Sequence, residues 1–226
     1  MIWGVATAAY QIEGAWNEGG RGPSIWDDFC DKPGRIANGD DGTVADDFYH
    51  RYKEDIALMK ELGYEYFRMS ISWSRVFPDG TRASLNPEGV QFYHTIIDEL
   101  LANGIKPFVT LFHWDIPSGI AQDLGKDGFL GYASTDYFND YADFCFAEYG
   151  DKVKYWLTFN EIQTYSWIGY GNGAHAPGRC SSYANPDCEW VGGGGDSGTE
   201  PYLVAHNSLI AHAKAAKTYR EKYQKQ

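Results

Sequence analysis

Three stretches of the chain repeat one plan, an amphipathic helix closed by a glycine and followed by a short apolar strand, and this alternation restricts the fold more than any other feature. The first helix runs from about Asp46 to Leu62. Thr43-Val44-Ala45-Asp46 reads as its capping-box start, Tyr49, Tyr52, Ile56 and Met59 fall at helical spacing, and Gly63 is its stop. The strand Tyr66 to Ile71 follows. In the second unit Asn86-Pro87 supplies an N-cap and a first-turn proline, and the helix is expected to bury Val90, Tyr93, Ile97, Leu100 and Leu101. It ends at Asn103-Gly104, ahead of a strand from Ile105 to Phe112. The third helix, about Thr135 to Tyr149, puts Tyr137, Tyr141, Phe144 and Cys145 on one face, stops at Gly150 and leads into Val153 to Phe159.

These units recur every ~40 to 48 residues, too irregularly for a solenoid, and strands alternating with helices predict a parallel sheet with helical crossovers. A first short strand around Trp3 to Ala9 and a last helix from about Glu200 to Lys225 complete four units, half of an eight-stranded α/β barrel. Half a barrel leaves two strand edges and one apolar sheet face without partners. The glycine-rich stretch Gly192 to Gly195 reads as loop, since it lacks the Lys-Ser/Thr of a phosphate loop.

The 226 residues carry 31 acidic against 19 basic side chains, and the net charge of -12 repels phosphate backbones and anionic lipid, so neither nucleic acid nor membrane is expected as a partner. No apolar run approaches the ~20 residues of a membrane span, and the N-terminus has no signal-peptide pattern, so the chain reads as soluble with no visible address. Of the four cysteines, Cys30 and Cys145 are isolated, whereas Cys180 and Cys188 bracket a polar loop. Bridged, that pair would lean the chain toward a secretory compartment; unbridged, it says nothing of location.

In a parallel barrel the C-terminal ends of the strands share one mouth, where functional side chains gather. Gln11 and Glu13 follow the first strand, Arg68 lies in the second, His113-Trp114-Asp115 end the third, and Asn160-Glu161 end the fourth. Each has an ordinary structural explanation: an ion pair for Arg68, a core position for His113, a helix cap for Asn160-Glu161. Together at one end they suit glycoside hydrolysis, in which one carboxylic acid protonates the leaving oxygen and a second carboxylate attacks the anomeric carbon or activates water. Glu161 fits the acid if its surroundings are partly desolvated, which would raise its pKa. Asparagine, glutamine and histidine suit sugar hydroxyls, and Trp114 or Trp167 could supply an apolar platform.

The stretches Trp3 to Ala15, Phe67 to Arg75, Phe112-His113-Trp114-Asp115, Thr158-Phe159-Asn160-Glu161, His175 to Arg179 and Thr199 to Tyr202 resemble glycoside hydrolase family 1, the β-glucosidase family. The resemblance runs in order over nearly the whole chain and implies a TIM barrel, a retaining mechanism, a β-glucoside or related small carbohydrate as substrate, and no cofactor or metal. It makes Glu161 the acid/base, Asn160 the contact to the sugar 2-hydroxyl, Gln11 and His113 glycone contacts, and Arg68 the cation beside the nucleophile. It also implies a Cys180–Cys188 bridge like that of plant-type members. Departures from the family pattern are Ile162, where proline usually follows the Asn-Glu pair, Ser118 in place of a glutamine, and the loop Gly119 to Gly128.

The family's nucleophile lies in an Ile/Val-Thr-Glu-Asn-Gly segment that matches nothing in this sequence. Glu13, Asp115 and Glu200 are spare carboxylates, with Glu200 better read as support for the last helix. The chain is therefore expected to be the N-terminal half of a single glycosidase barrel whose turnover needs the other half. The alternative is a non-catalytic half-barrel that binds carbohydrate, the missing half or another copy of itself. A metal site from His113, His175 and a carboxylate has the right atoms but no ligand-spacing motif.

Overall fold

The structure, a computed structural model, describes residues 3–123, 128–190 and 194–225. In chain order its elements are β1 (Gly4–Ala6), α1 (Ala9–Ile12), α2 (Ile25–Cys30), α3 (Phe48–Glu61), β2 (Tyr66–Ser70), α4 (Trp73–Val76), α5 (Pro87–Ala102), β3 (Lys106–Phe112), α6 (Ser118–Asp123), α7 (Ser134–Tyr149), β4 (Tyr155–Phe159), α8 (Ile162–Tyr170), α9 (Asp187–Trp190) and α10 (Glu200–Lys222). The four strands form one sheet in the order β1-β2-β3-β4, with every neighbouring pair parallel. This is the first half of a (β/α)8 barrel, as the repeated helix-strand plan predicts.

The helix stops work as their residues require. Gly63 at φ 77° and Gly104 at φ 78° take the left-handed conformation, and the Gly63 and Tyr64 amides return to the carbonyls of Lys60 and Met59. Asn86 caps α5 by accepting from the Glu88 amide, with Pro87 in the first turn. The start of α3 differs from expectation. Thr43 turns back to Asp41 instead of capping, and the helix begins at Phe48 after Asp47 in left-handed backbone. An Asx-type turn competes successfully with the capping box there.

One face of the sheet is packed by the helices. Phe67, Met69, Val109 and Leu111 are buried, Phe48 of α3 lies 5.9 Å from Phe67, and Trp73 stacks on Tyr141 of α7 at 4.9 Å. The Tyr141 hydroxyl donates to the carbonyls of Ile71 and Leu111, tying α7 to the ends of two strands. α10 packs on α7 through Phe146 and Tyr219 and through Lys222 and Tyr223, which both reach Asp143. Leu101, expected inside, is 40% exposed because it falls at the edge of the α5 stripe. The opposite face carries Arg68, Thr110 and a stack of Phe108 on Tyr155, whose ring is 40% exposed.

The first strand is only three residues long, since the chain turns into α1 at Ala9. Part of the stretch Gly119 to Gly128, expected as loop, is the helix α6, and its residues 124–127 lie outside the described residues, as do Gly192 and Gly193. No helix among the described residues is long and apolar enough to cross a membrane.

Candidate active site

Asn160 and Glu161 follow the C-terminal end of β4, and the backbone of Glu161 is costly for its residue type. The Asn160 amide continues the sheet by donating to the Phe112 carbonyl at 2.9 Å, and Glu161 then adopts φ 40°, ψ 66° before α8 begins. On the neighbouring strand Trp114 also has positive φ, 74°. A non-glycine residue in left-handed backbone costs about 1–2 kcal/mol and persists where surroundings hold it. Here the hold is visible: the Trp114 indole N–H donates to the Asn160 carbonyl at 2.8 Å.

Arg68 joins the same group from β2. Its Nε donates to Thr110 Oγ1 at 3.0 Å and its Nη2 to Asn160 Oδ1 at 2.6 Å. A guanidinium can only donate, so the Asn160 side-chain oxygen faces Arg68 and its amide nitrogen, which bonds to none of the described residues, is free to donate elsewhere. Glu161 sits at the N-cap position but its side chain does not cap α8, and it is exposed. The partly desolvated setting expected for Glu161 is therefore not built by the described residues.

Beside this group lies a cleft of about 430 Å³, lined by Gln11, Tyr10, Trp26, His113, Trp114 and His175 among others. The His175 ring stands 5.5 Å from Trp26 and 5.8 Å from Trp114. Burial, reinforced by Arg68 and opposed by Glu161, lowers the His113 pKa to about 4; burial lowers that of His175 as well. Both imidazoles are thus neutral near pH 7, each with one nitrogen to donate and one to accept, the pairing that hydroxyls need. Their Nδ1 atoms are buried without a partner among the described residues. Gln11 is exposed at the cleft, on α1. Trp167 is 53% exposed on α8 and does not line the cleft, so of the two tryptophans offered as platforms only Trp114 does.

Two of the spare carboxylates are already committed. Glu13 is buried and accepts from Arg75 Nε at 3.0 Å and from the Tyr93 hydroxyl at 2.8 Å. Arg75 also donates to the Gly14 carbonyl and lies over the Tyr49 ring at 4.6 Å. Glu200 forms a two-bonded pair with Arg179 at 2.7 and 2.8 Å, in the first turn of α10. The third, Asp115, is fully enclosed with neither oxygen bonded by a side chain, and burial raises its pKa to about 7, with Arg21 opposing and Glu13 adding to the rise. The roles of Trp26, Tyr10 and Arg75 carry no sequence signal beyond residue type, because their partners are distant in the chain. Cys180 and Cys188 are disulfide-bonded, with Cα atoms 5.6 Å apart. No cluster of metal-ligating side chains occurs among the described residues.

Comparison with known proteins gives the chain its family. The family model described as glycosyl hydrolase family 1 matches residues 1–226. Beta-glucosidase 24 of Oryza sativa subsp. japonica is 54% identical over 226 residues, 99% of this chain and 44% of that protein. Furcatin hydrolase of Viburnum furcatum is 52% identical, over 99% of this chain and 40% of its own. Among solved structures, a mutant rice β-glucosidase in a covalent complex with Glc aligns with a TM-score of 0.94 at 46% identity, over 99% of this chain and 45% of that one. A β-glucosidase from the fungus Humicola insolens in complex with glucose aligns at 0.93 and 49%, over 99% and 46%. The chain spans less than half the length of these relatives.

Proposed function

The chain belongs to glycosyl hydrolase family 1, and from that premise we propose that it forms the acid/base half of a single retaining β-glucosidase barrel. Glu161 protonates the leaving glycosidic oxygen and then deprotonates the water that resolves the glycosyl intermediate. Asn160 donates its free amide to the sugar 2-hydroxyl, Gln11 and His113 bind further hydroxyls of the glycone, and Trp114 offers its face. Arg68 stands where a cation can hold the nucleophilic carboxylate ionised. Of the three spare carboxylates, Glu13 and Glu200 are tied into ion pairs and Asp115 is enclosed, so none of them is offered as nucleophile. In this reading the nucleophile comes from a further strand.

The observation that carries this reading is the Arg68–Asn160–Trp114 linkage, which presents Glu161 at the mouth of a parallel sheet. In a protein that joins this segment to a Thr-Glu-Asn-Gly strand, Glu161→Gln is expected to lower turnover of an alkyl β-glucoside by at least ~10²-fold. Azide should restore turnover of an activated aryl glucoside, because it attacks the glycosyl intermediate without needing a base. Full activity of the variant would remove Glu161 from the role. The 226-residue chain alone is expected to show negligible turnover, and rates comparable to those of a full barrel would overturn the need for a second half.

The cleft is formed by this chain alone, which favours a second property, glucoside binding without turnover. Calorimetry with glucose and cellobiose tests it, and the absence of saturable heat would end it.

A further inference from the structure

Arg35 lies outside the group that presents Glu161, yet it bonds the loop that supplies one wall of the cleft. That loop, 173–178, is closed at its base by an antiparallel bridge between Asn172 and Cys180. It packs so tightly on α8 that a Cβ at Gly169 would stand 2.8 Å from the Ala176 carbonyl oxygen. Arg35 Nη1 donates to the Gly173 carbonyl at 2.9 Å and Nη2 to the Gly178 carbonyl at 3.1 Å, so one guanidinium spans the neck of the loop from 138 and 143 residues away. Its Cζ lies 5.2 Å from the Phe29 ring centroid, and its Nε is buried with no partner among the described residues. Room for this contact requires glycine. Gly178 has φ 80°, and a Cβ there would fall 2.8 Å from Phe29 and 3.1 Å from the guanidinium.

The loop carries His175. Its ring is set between Trp26 of α2 and Trp114, at 5.5 and 5.8 Å, and all three side chains line the cleft. Phe29 links the two sides of the arrangement, with Arg35 on one and Trp26 at 5.6 Å on the other. The Nδ1 atom of His175 has no partner among the described residues, so the ring is held by packing and by the backbone that bears it. A planar guanidinium fixes the directions of two acceptors at once, which the single nitrogen of a lysine does not.

We propose that Arg35 is a positioning residue of the cleft: by bridging Gly173 and Gly178 it fixes the loop that holds His175 against Trp114, where the imidazole bonds a hydroxyl of the bound glucoside. This rests on the reading of the cleft as the glucoside site and adds Arg35 and His175 to it. It does not rest on Glu161 being the acid.

In a protein that carries this segment within a whole barrel, Arg35→Met is expected to raise KM for an aryl β-glucoside by about 5- to 10-fold, the worth of a hydrogen bond, with kcat changed by less than ~2-fold. His175→Ala should do the same, and the double variant should be no worse than either, because both act through one contact. Arg35→Lys keeps the charge without the fork; its KM should fall between the two, and it carries the test if the Met variant does not fold. Without substrate, the His175 imidazole should titrate closer to 6.5 in either Arg35 variant, as the loosened loop admits water to the ring, while His113 titrates as before and so reports an intact cleft floor. An unchanged KM, a loss in kcat alone, effects that multiply in the double variant, or an unmoved His175 titration would each overturn the proposal. Glu161 is read separately, through kcat and azide rescue, so either assignment can fail while the other stands.

Discussion

Two arginine clusters, one centred on Arg68 in β2 and the other on Arg75 in the following helix α4, behave in opposite ways. Around Arg75 everything is closed: Glu13, Tyr93 and the Gly14 carbonyl take its neighbourhood's polar atoms, two aromatic rings cover its faces, and nothing is exposed. Around Arg68 the bonding is incomplete, with the Asn160 side-chain amide donating to no described residue, His113 Nδ1 unpartnered among the described residues and Glu161 exposed on left-handed backbone. An arginine beside an acid is therefore no guide to chemistry. What separates the two is spare hydrogen-bonding capacity facing a cleft, and only the second cluster has it.

The contrast can be broken most directly at its closed end. Arg75→Met leaves Glu13 buried and without its cation, and removing one partner of a buried pair costs roughly 3–5 kcal/mol. The upper end, about 5 kcal/mol, is expected in urea unfolding because Tyr93 also loses the ionised acceptor it donates to. Arg68→Met, in the open cluster, should cost only about 1–2 kcal/mol, the worth of charge-assisted hydrogen bonds in a partly exposed site. Equal costs would erase the distinction between the two arginines.

Asp115 is hydrogen-bonded to neither cluster, and its enclosure sharpens the comparison through pH. Its carboxyl holds its proton up to about pH 7 when folded, mainly because burial disfavours the anion, and releases it near 3.8 when unfolded. Below pH ~4 it is neutral in both states and its contribution is complete. As pH rises from there toward 7 the unfolded chain gives up a proton that the folded one retains, so stability falls by about 1.4 kcal/mol per pH unit, in total about 4 kcal/mol. Asp115→Asn keeps the neutral shape and should flatten that slope, measured as urea midpoints at pH 4, 5.5 and 7. A slope unchanged by the substitution would place the dependence on another group.

Much of this architecture is legible in the sequence because it is local. Helical spacing at Ile56 and Met59, the Asn86 cap and the stops at Gly63 and Gly104 are each set within a turn or two of chain, and the sheet order follows from the repetition. The start of α3 is not, since Thr43 has two nearby partners and the Asp41 turn wins. Glu13 reads as one more acid at the mouth because its partners, Arg75 and Tyr93, are 62 and 80 residues away. The strand-end positions of His113, Asn160 and Glu161 can be read from motif order, but burial cannot. His113 is deep enough to lose its charge while Glu161, one strand over, is exposed.

That last difference gives the smallest and most local test. The His113 pKa is held near 4 first by burial and then by the Arg68 cation, with the Glu161 carboxylate pulling the other way. Because the folded pKa lies below the unfolded value of 6.5, the neutral ring's contribution to stability is present above pH 6.5 and is lost as pH falls toward 4. Glu161→Gln removes the opposing charge and is expected to lower the His113 titration by about a few tenths of a pH unit, whereas Arg68→Met should raise it by a similar amount. The imidazole Hε1 resonance followed by NMR reads both. Opposite shifts would show that cation, imidazole and carboxylate share one field across three strand ends, which the closed Arg75 cluster, spent on its own ion pair, does not reach. No movement in either variant would reduce the open cluster to three neighbours without electrostatic coupling.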